Sequence, residues 1–118
     1  MAGSKLETFI SSVQKPADFD DFWLETLKNV DKVGSNVRMT PAPMRSTDEV
    51  DVFEVHYDSY GRLSIAGWFC RPSKGQGPYP GLLLVPGYVS EPELPKAWAS
   101  QGYATFSAAP RGKLRSNS

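Results

Sequence analysis

Three places in this 118-residue chain hold residue types able to take part in chemistry, and two of them stand alone. His56 is the only histidine and Cys70 the only cysteine. An imidazole acts as a catalytic base when an acid orients it and a nucleophile lies within reach. Nothing in the sequence around His56 places either, so it reads as a surface or packing residue. Cys70 reads as a small buried hydrophobe, and a single cysteine excludes an intrachain disulfide and a cysteine metal cluster. The third place is the turn Pro86-Gly87-Tyr88, directly after the apolar run Gly81–Val85. Open α/β sheets receive ligands at the carboxyl ends of their parallel strands, so chemistry is sought first at Gly87 and Tyr88. A plain strand-ending turn is the other reading. There is no P-loop, no GxGxxG and no GxSxG.

The elements that must hold this turn are legible around it. Leu82-Leu83-Leu84-Val85 is apolar without alternation, the pattern of a strand covered on both faces. Ser90 to Ala99 reads as a helix start, and Gly102 to Ala108 as a second buried strand. Strand, helix, strand predicts a βαβ unit with parallel strands and a right-handed crossover. Upstream, Val50–Asp58 and Leu63–Arg71 alternate and flank the turn signal Ser59-Tyr60-Gly61-Arg62, which predicts an antiparallel hairpin. Ser35 to Glu49, with Pro41 and Pro43, reads as an extended connection with little regular structure.

Two helices are expected before it. Ser4 and Glu7 have capping-box spacing, with Leu6, Phe9, Ile10 and Val13 on one face and Pro16 as the stop. The second is capped by Asp18, with Asp20 and Asp21 at its positive end, Lys28 and Lys32 near its negative end and Gly34 to close it. Its stripe of Phe19, Phe22, Trp23, Leu27 and Val30 is expected to pack on a larger body rather than to bind a ligand. Pro110 to Ser118 reads as a polar, turn-rich tail open to disorder.

Thirteen Lys and Arg against thirteen Asp and Glu give zero formal net charge. This argues against nucleic acid or an anionic membrane as partner. The hydrophobic fraction of 40% fits one small folded domain. No window approaches a membrane span and no signal peptide is read, so a cytoplasmic location is expected.

Four blocks in order resemble the amino-terminal part of the acetyl xylan esterase and cephalosporin C deacetylase family of α/β-hydrolases. They are Pro16-Ala17-Asp18-Phe19-Asp20-Asp21-Phe22-Trp23; Val55 through Phe69 with Pro72; Pro80 through Tyr88; and Trp98 through Ala104 with Arg111-Gly112. There are two departures. Pro86 stands where the family usually has His before Gly-Tyr. In the later turn, which resembles Asp-x-Arg-Gly-x-Gly-x-Ser, Ala109 replaces the acid and Leu114 the second glycine, while Arg111, Gly112 and Ser116 match.

The resemblance implies an α/β fold: the amino-terminal half of an α/β-hydrolase, with leading helices, an antiparallel hairpin and a parallel βαβ unit, residues 1–118 forming one partial domain. It implies a serine esterase acting on acetylated saccharides or small acetyl esters, without cofactor or metal. The backbone N–H of Tyr88 would serve as one oxyanion donor, supported by Pro86 and Gly87. The nucleophile, acid and base would all lie beyond Ser118, so the chain alone is expected to be inactive. The strand Tyr103–Ala108, left at an edge, would favour self-association or a missing carboxyl-terminal half. Alternatives are another α/β-hydrolase (a prolyl-oligopeptidase-type peptidase or a carboxylesterase), a non-catalytic β-rich binding module with no parallel pairing between residues 82–85 and 104–107, and a pseudoenzyme half.

Overall fold

A computed structural model describes residues 8–88, 90–113 and 116. Its centre is one five-stranded sheet in the order β1-β2-β3-β5-β4. The strands are β1 (Arg38–Pro41), β2 (Val50–Asp58), β3 (Ser64–Pro72), β4 (Gly81–Leu84) and β5 (Ala104–Ala109). The β2–β3 hairpin forms as its alternation predicts, with Val52 opposite Cys70 and Val55 opposite Gly67. β5 lies antiparallel to β3, Phe106 facing Phe69, and parallel to β4, Leu83 beside Phe106. The parallel pairing required of a βαβ unit is present, and it excludes the free-standing β-rich module.

One face of the sheet is closed. Val50, Val52, Cys70 and Ala99 form its core, with Ala42, Trp68 and Leu94 against it. Ala99 comes from α2 (Lys96–Ala99), a single turn. The chain before it, residues 91–95, is not helical; Pro92 and Pro95 remove two N–H donors there. Thr105 is fully buried, and its hydroxyl is shared between the carbonyls of Cys70 at 3.3 Å and Pro95 at 3.2 Å.

Several expectations are corrected. α1 (Phe19–Val33) has Asp20 and Asp21 in its first turn, Lys32 in its last, and Gly34 at φ 71° just beyond it. Asp18 occupies the cap position, but its side chain makes no capping bond, and no residue of the helix is buried. Phe22, Trp23 and Leu27 are 59%, 49% and 60% exposed, so the described residues leave most of the stripe open, with Val30 partly buried. Of the expected earlier helix, residues 1–7 lie outside the described residues, and 9–16 have no regular structure. Residues 38–41, read as an irregular connection, are a strand paired with residues 53–56 of β2. Four residues ending in proline are too few for a periodic signal, and proline is tolerated on an edge strand.

The largest correction concerns the edge. β5 is internal, and β4 is the outermost strand. The Leu82–Val85 run has the composition of a doubly covered strand, yet Leu83 is 64% and Val85 72% exposed. Nothing described lies beyond β4 or over its Leu83 face.

Two predictions follow from the packing. A Cβ on Gly67 would sit 2.6 Å from the Phe106 ring and 2.9 Å from the Ser107 carbonyl oxygen. The ring can turn, but the backbone oxygen cannot, so Gly67→Ala should cost about 1–3 kcal/mol in urea unfolding; an unchanged midpoint would refute the close approach. The second concerns Cys70. Burial pushes its thiol up to about 11, against weaker opposition from Lys96 and Thr105. The folded chain then keeps a proton that an unfolded thiol loses at about pH 8.5. This contribution to stability is present below about pH 8.5 and is lost as pH rises toward 11. Iodoacetamide at about pH 8 should label Cys70 only after unfolding, and the alkaline loss of stability should be shallower in Cys70→Ala.

Candidate functional site

β4 and β5 end on the same side because they run in the same direction, and their carboxyl ends frame a cavity of about 260 Å³. Leu84, Val85, Pro86 and Gly87 form one wall, Ser90 to Glu93 a second, and Ser107 of β5 the floor. The candidate turn is therefore where the sequence places it. The three residues differ in their surroundings. Pro86 and Gly87 line the cavity. The Tyr88 side chain is 99% exposed, and its backbone N–H has no acceptor among the described residues. A free N–H at a strand end, beside a cavity, is chemically a hydrogen-bond donor awaiting an acceptor. The Ser90 hydroxyl donates to the Gly87 carbonyl at 3.3 Å, and a Cβ on Gly87 would lie 3.3 Å from that hydroxyl oxygen. Glycine thus also serves to let Ser90 fold back over the turn.

Of the expected tail, residues 110–113 and 116 are described and are tied to the sheet and to the turn; residues 114, 115, 117 and 118 lie outside the described residues. Ser116 is buried, and its hydroxyl accepts from Ala66 N–H at 2.7 Å and donates to Ala109 O at 2.7 Å. Between these anchors the chain turns, with Lys113 N–H on Pro110 O and Ser116 N–H on Lys113 O. The Lys113 ammonium donates to the Ser90 carbonyl at 2.8 Å and lies 3.6 Å from Glu91 Oε1. Sequence reasoning missed Ser116 as an anchor because its partners are 50 and 7 residues away; the matching serine of the later turn was the only signal.

His56 has more company than the sequence suggests. Its Nε2 lies 3.0 Å from Glu54 Oε1 and its Nδ1 3.4 Å from Ser64 Oγ. Glu54 and His56 share one strand face at a spacing of two, and the hairpin register brings Ser64 alongside. The order is inverted relative to a hydrolytic triad, where Nε2 faces the hydroxyl and Nδ1 the acid. Ser64 Oγ also faces the Arg38 guanidinium at 3.5 Å. Arg38 pairs with Asp58 at 2.9 Å, and hydrogen bonds from Arg38 and then Asn36 hold the Asp58 carboxyl below the ordinary carboxylate range. The cluster is a polar network joining β1, β2 and β3, away from the residues of the cavity. Among the described residues no group of three or more His, Cys, Asp or Glu could hold a metal ion, and no helix is long and apolar enough to cross a membrane.

The sequence model of the acetyl xylan esterase (AXE1) family matches residues 1–118. Acetyl esterase Axe7A of Xylanibacter ruminicola is 30% identical over 94 residues, which are 76% of this chain and 21% of that protein. The structure of acetyl xylan esterase 1 from a Thermoanaerobacterium species superposes with a TM-score of 0.88 at 18% identity, covering 100% of this chain and 38% of that one. An acetyl xylan esterase from a Paenibacillus species gives 0.84 at 22% identity, covering 100% and 39%. The chain thus spans about a fifth of the curated relative and under two fifths of the solved structures. At these identities the superpositions speak for the fold alone, the amino-terminal part of an α/β-hydrolase-like fold.

The anchoring role of Ser116 is testable. Ser116→Ala leaves Ala66 N–H and Ala109 O without this partner, and buried backbone groups so deprived cost roughly 1–3 kcal/mol. A urea midpoint unchanged from the parent chain would show that the tail is not tied to the sheet.

Proposed function

This chain belongs to the acetyl xylan esterase family, and from that premise we propose that it is the amino-terminal portion of a serine carboxylic-ester hydrolase that removes acetyl groups from saccharides or small acetyl esters. The observation that carries the reading is a Tyr88 N–H without an acceptor among the described residues, beside a cavity at the end of a parallel strand pair. In acyl transfer the carbonyl oxygen becomes negative as the tetrahedral intermediate forms, and backbone N–H donors fixed in advance stabilise that charge without reorganising. A backbone donor needs no particular side chain, which accords with a Tyr88 ring turned fully to solvent.

On this reading residues 1–118 are one partial domain. The serine nucleophile, the histidine base and its acid belong to a part of the parent protein outside this chain, and the open edge of β4 takes either that remainder of the sheet or a second copy. The cytoplasm is the expected compartment, with the free, buried thiol of Cys70 compatible with reducing conditions. No step of the proposed reaction calls on a cofactor.

Pure chain should not turn over p-nitrophenyl acetate; robust hydrolysis by it would contradict the reading. Joined to the complementary remainder of one of the solved family enzymes, it should support hydrolysis. In that chimera Tyr88→Pro, which deletes the N–H, should lower kcat about 100- to 1,000-fold, while Tyr88→Phe should not. Equal activity of the proline variant would remove Tyr88 from the site.

A further inference from the structure

Among the described residues the Tyr88 N–H has no hydrogen bond of its own to hold it, yet a donor of this kind works only when its position is fixed beforehand. Something else must set the turn. Pro86 restricts one dihedral, and Ser90 bonds back to Gly87 O, but both contacts are internal to the loop. Among the described residues, the bond that ties Gly87 to Glu91 to another part of the protein is the one from Lys113 Nζ to Ser90 O at 2.8 Å, with Glu91 Oε1 3.6 Å from the same ammonium.

We infer that Lys113 is a positioning residue for the donor loop, the outer end of a hydrogen-bonded strut that starts in the sheet. The strut runs from Ala66 N–H and Ala109 O to the Ser116 hydroxyl, through the Ser116 N–H to Lys113 O, and out along the Lys113 side chain to Ser90 O. Each link is 3.0 Å or shorter. The Lys113 side chain is only 25% exposed, so its ammonium is partly desolvated and is held by a backbone carbonyl as well as by a carboxylate. A charge-assisted bond to a carbonyl has a fixed direction, which a surface ion pair alone lacks. Lys113 stands at a position that the resembling turn motif leaves open, so the motif does not point to it.

The inference rests on the donor role proposed for Tyr88, but its test does not. In the full chain, 15N relaxation should give Gly87, Tyr88 and Ser90 order parameters near those of rigid backbone, about 0.85. Lys113→Met should lower them below about 0.6 while the β3 and β5 amides keep theirs. Chymotrypsin cleavage after Tyr88 should accelerate roughly fivefold, the size expected for loss of one partly exposed charge-assisted bond. Lys113→Arg, which retains a cationic donor, should restore both readouts. An equally ordered and equally resistant loop in Lys113→Met overturns the strut, as does a loss of order spread evenly over the sheet. Neither result touches the donor assignment, which falls only if the Tyr88→Pro chimera stays active.

Discussion

The parallel ladder between Gly81–Leu84 and Ala104–Ser107 is the constraint on which the site depends. Two strands running in the same direction discharge their connections at the same end, so the turn after β4 and the segment after β5 meet there. An antiparallel pairing would send them to opposite ends, and neither the cavity nor the Lys113 contact would exist. The ladder is secured from its other side. β5 is stitched to β3 along Cys70–Ala66, and the buried Thr105 hydroxyl binds the carbonyls of Cys70 and Pro95. One side chain thereby fixes the hairpin, β5 and the start of the crossover helix together.

The apolar surface is unevenly used. Around Val50, Val52, Cys70 and Ala99 the sheet is closed. On the opposite face Val37, Met39, Val55, Phe69 and Phe106 line an apolar cavity of about 230 Å³, and Leu83 points from the edge strand into solvent. Contiguous apolar surface of this kind, beside an unpaired edge with no charged residue on it, is more than isolated folded chains usually leave open. α1 tells the same story. Fifteen residues with no buried side chain gain little from packing, and a helix of that length is marginal in isolation. A chain spanning under two fifths of its solved relatives accords with both observations.

Legibility from sequence followed the physics of each signal. The β2–β3 hairpin and the β4–β5 pair were readable because alternation and unbroken apolar runs are local properties. The same run misled on burial: Leu82–Val85 encodes a strand to be covered on both faces, and composition cannot report whether the covering elements are present. β1 was invisible because four residues ending in Pro41 carry no period. Phe9, Ile10 and Val13 had helical spacing, but no described residue buries them, and spacing without burial does not make a helix. The turn Pro86-Gly87-Tyr88 was located by position in the fold, whereas Ser116 and Lys113 were not, since their partners are set by tertiary contact alone. The Glu54–His56–Ser64 cluster was missed for the same reason.

The most direct measurement is a set of interstrand nuclear Overhauser effects across β4 and β5, together with the exchange rate of the Tyr88 amide. The account predicts the evenly spaced contacts of a parallel ladder, with Leu83 beside Phe106 and Leu82 beside Thr105, and a Tyr88 amide that exchanges as freely as one in an unstructured peptide. Antiparallel contacts between these strands, or a Tyr88 amide protected by a partner within the chain, would contradict it.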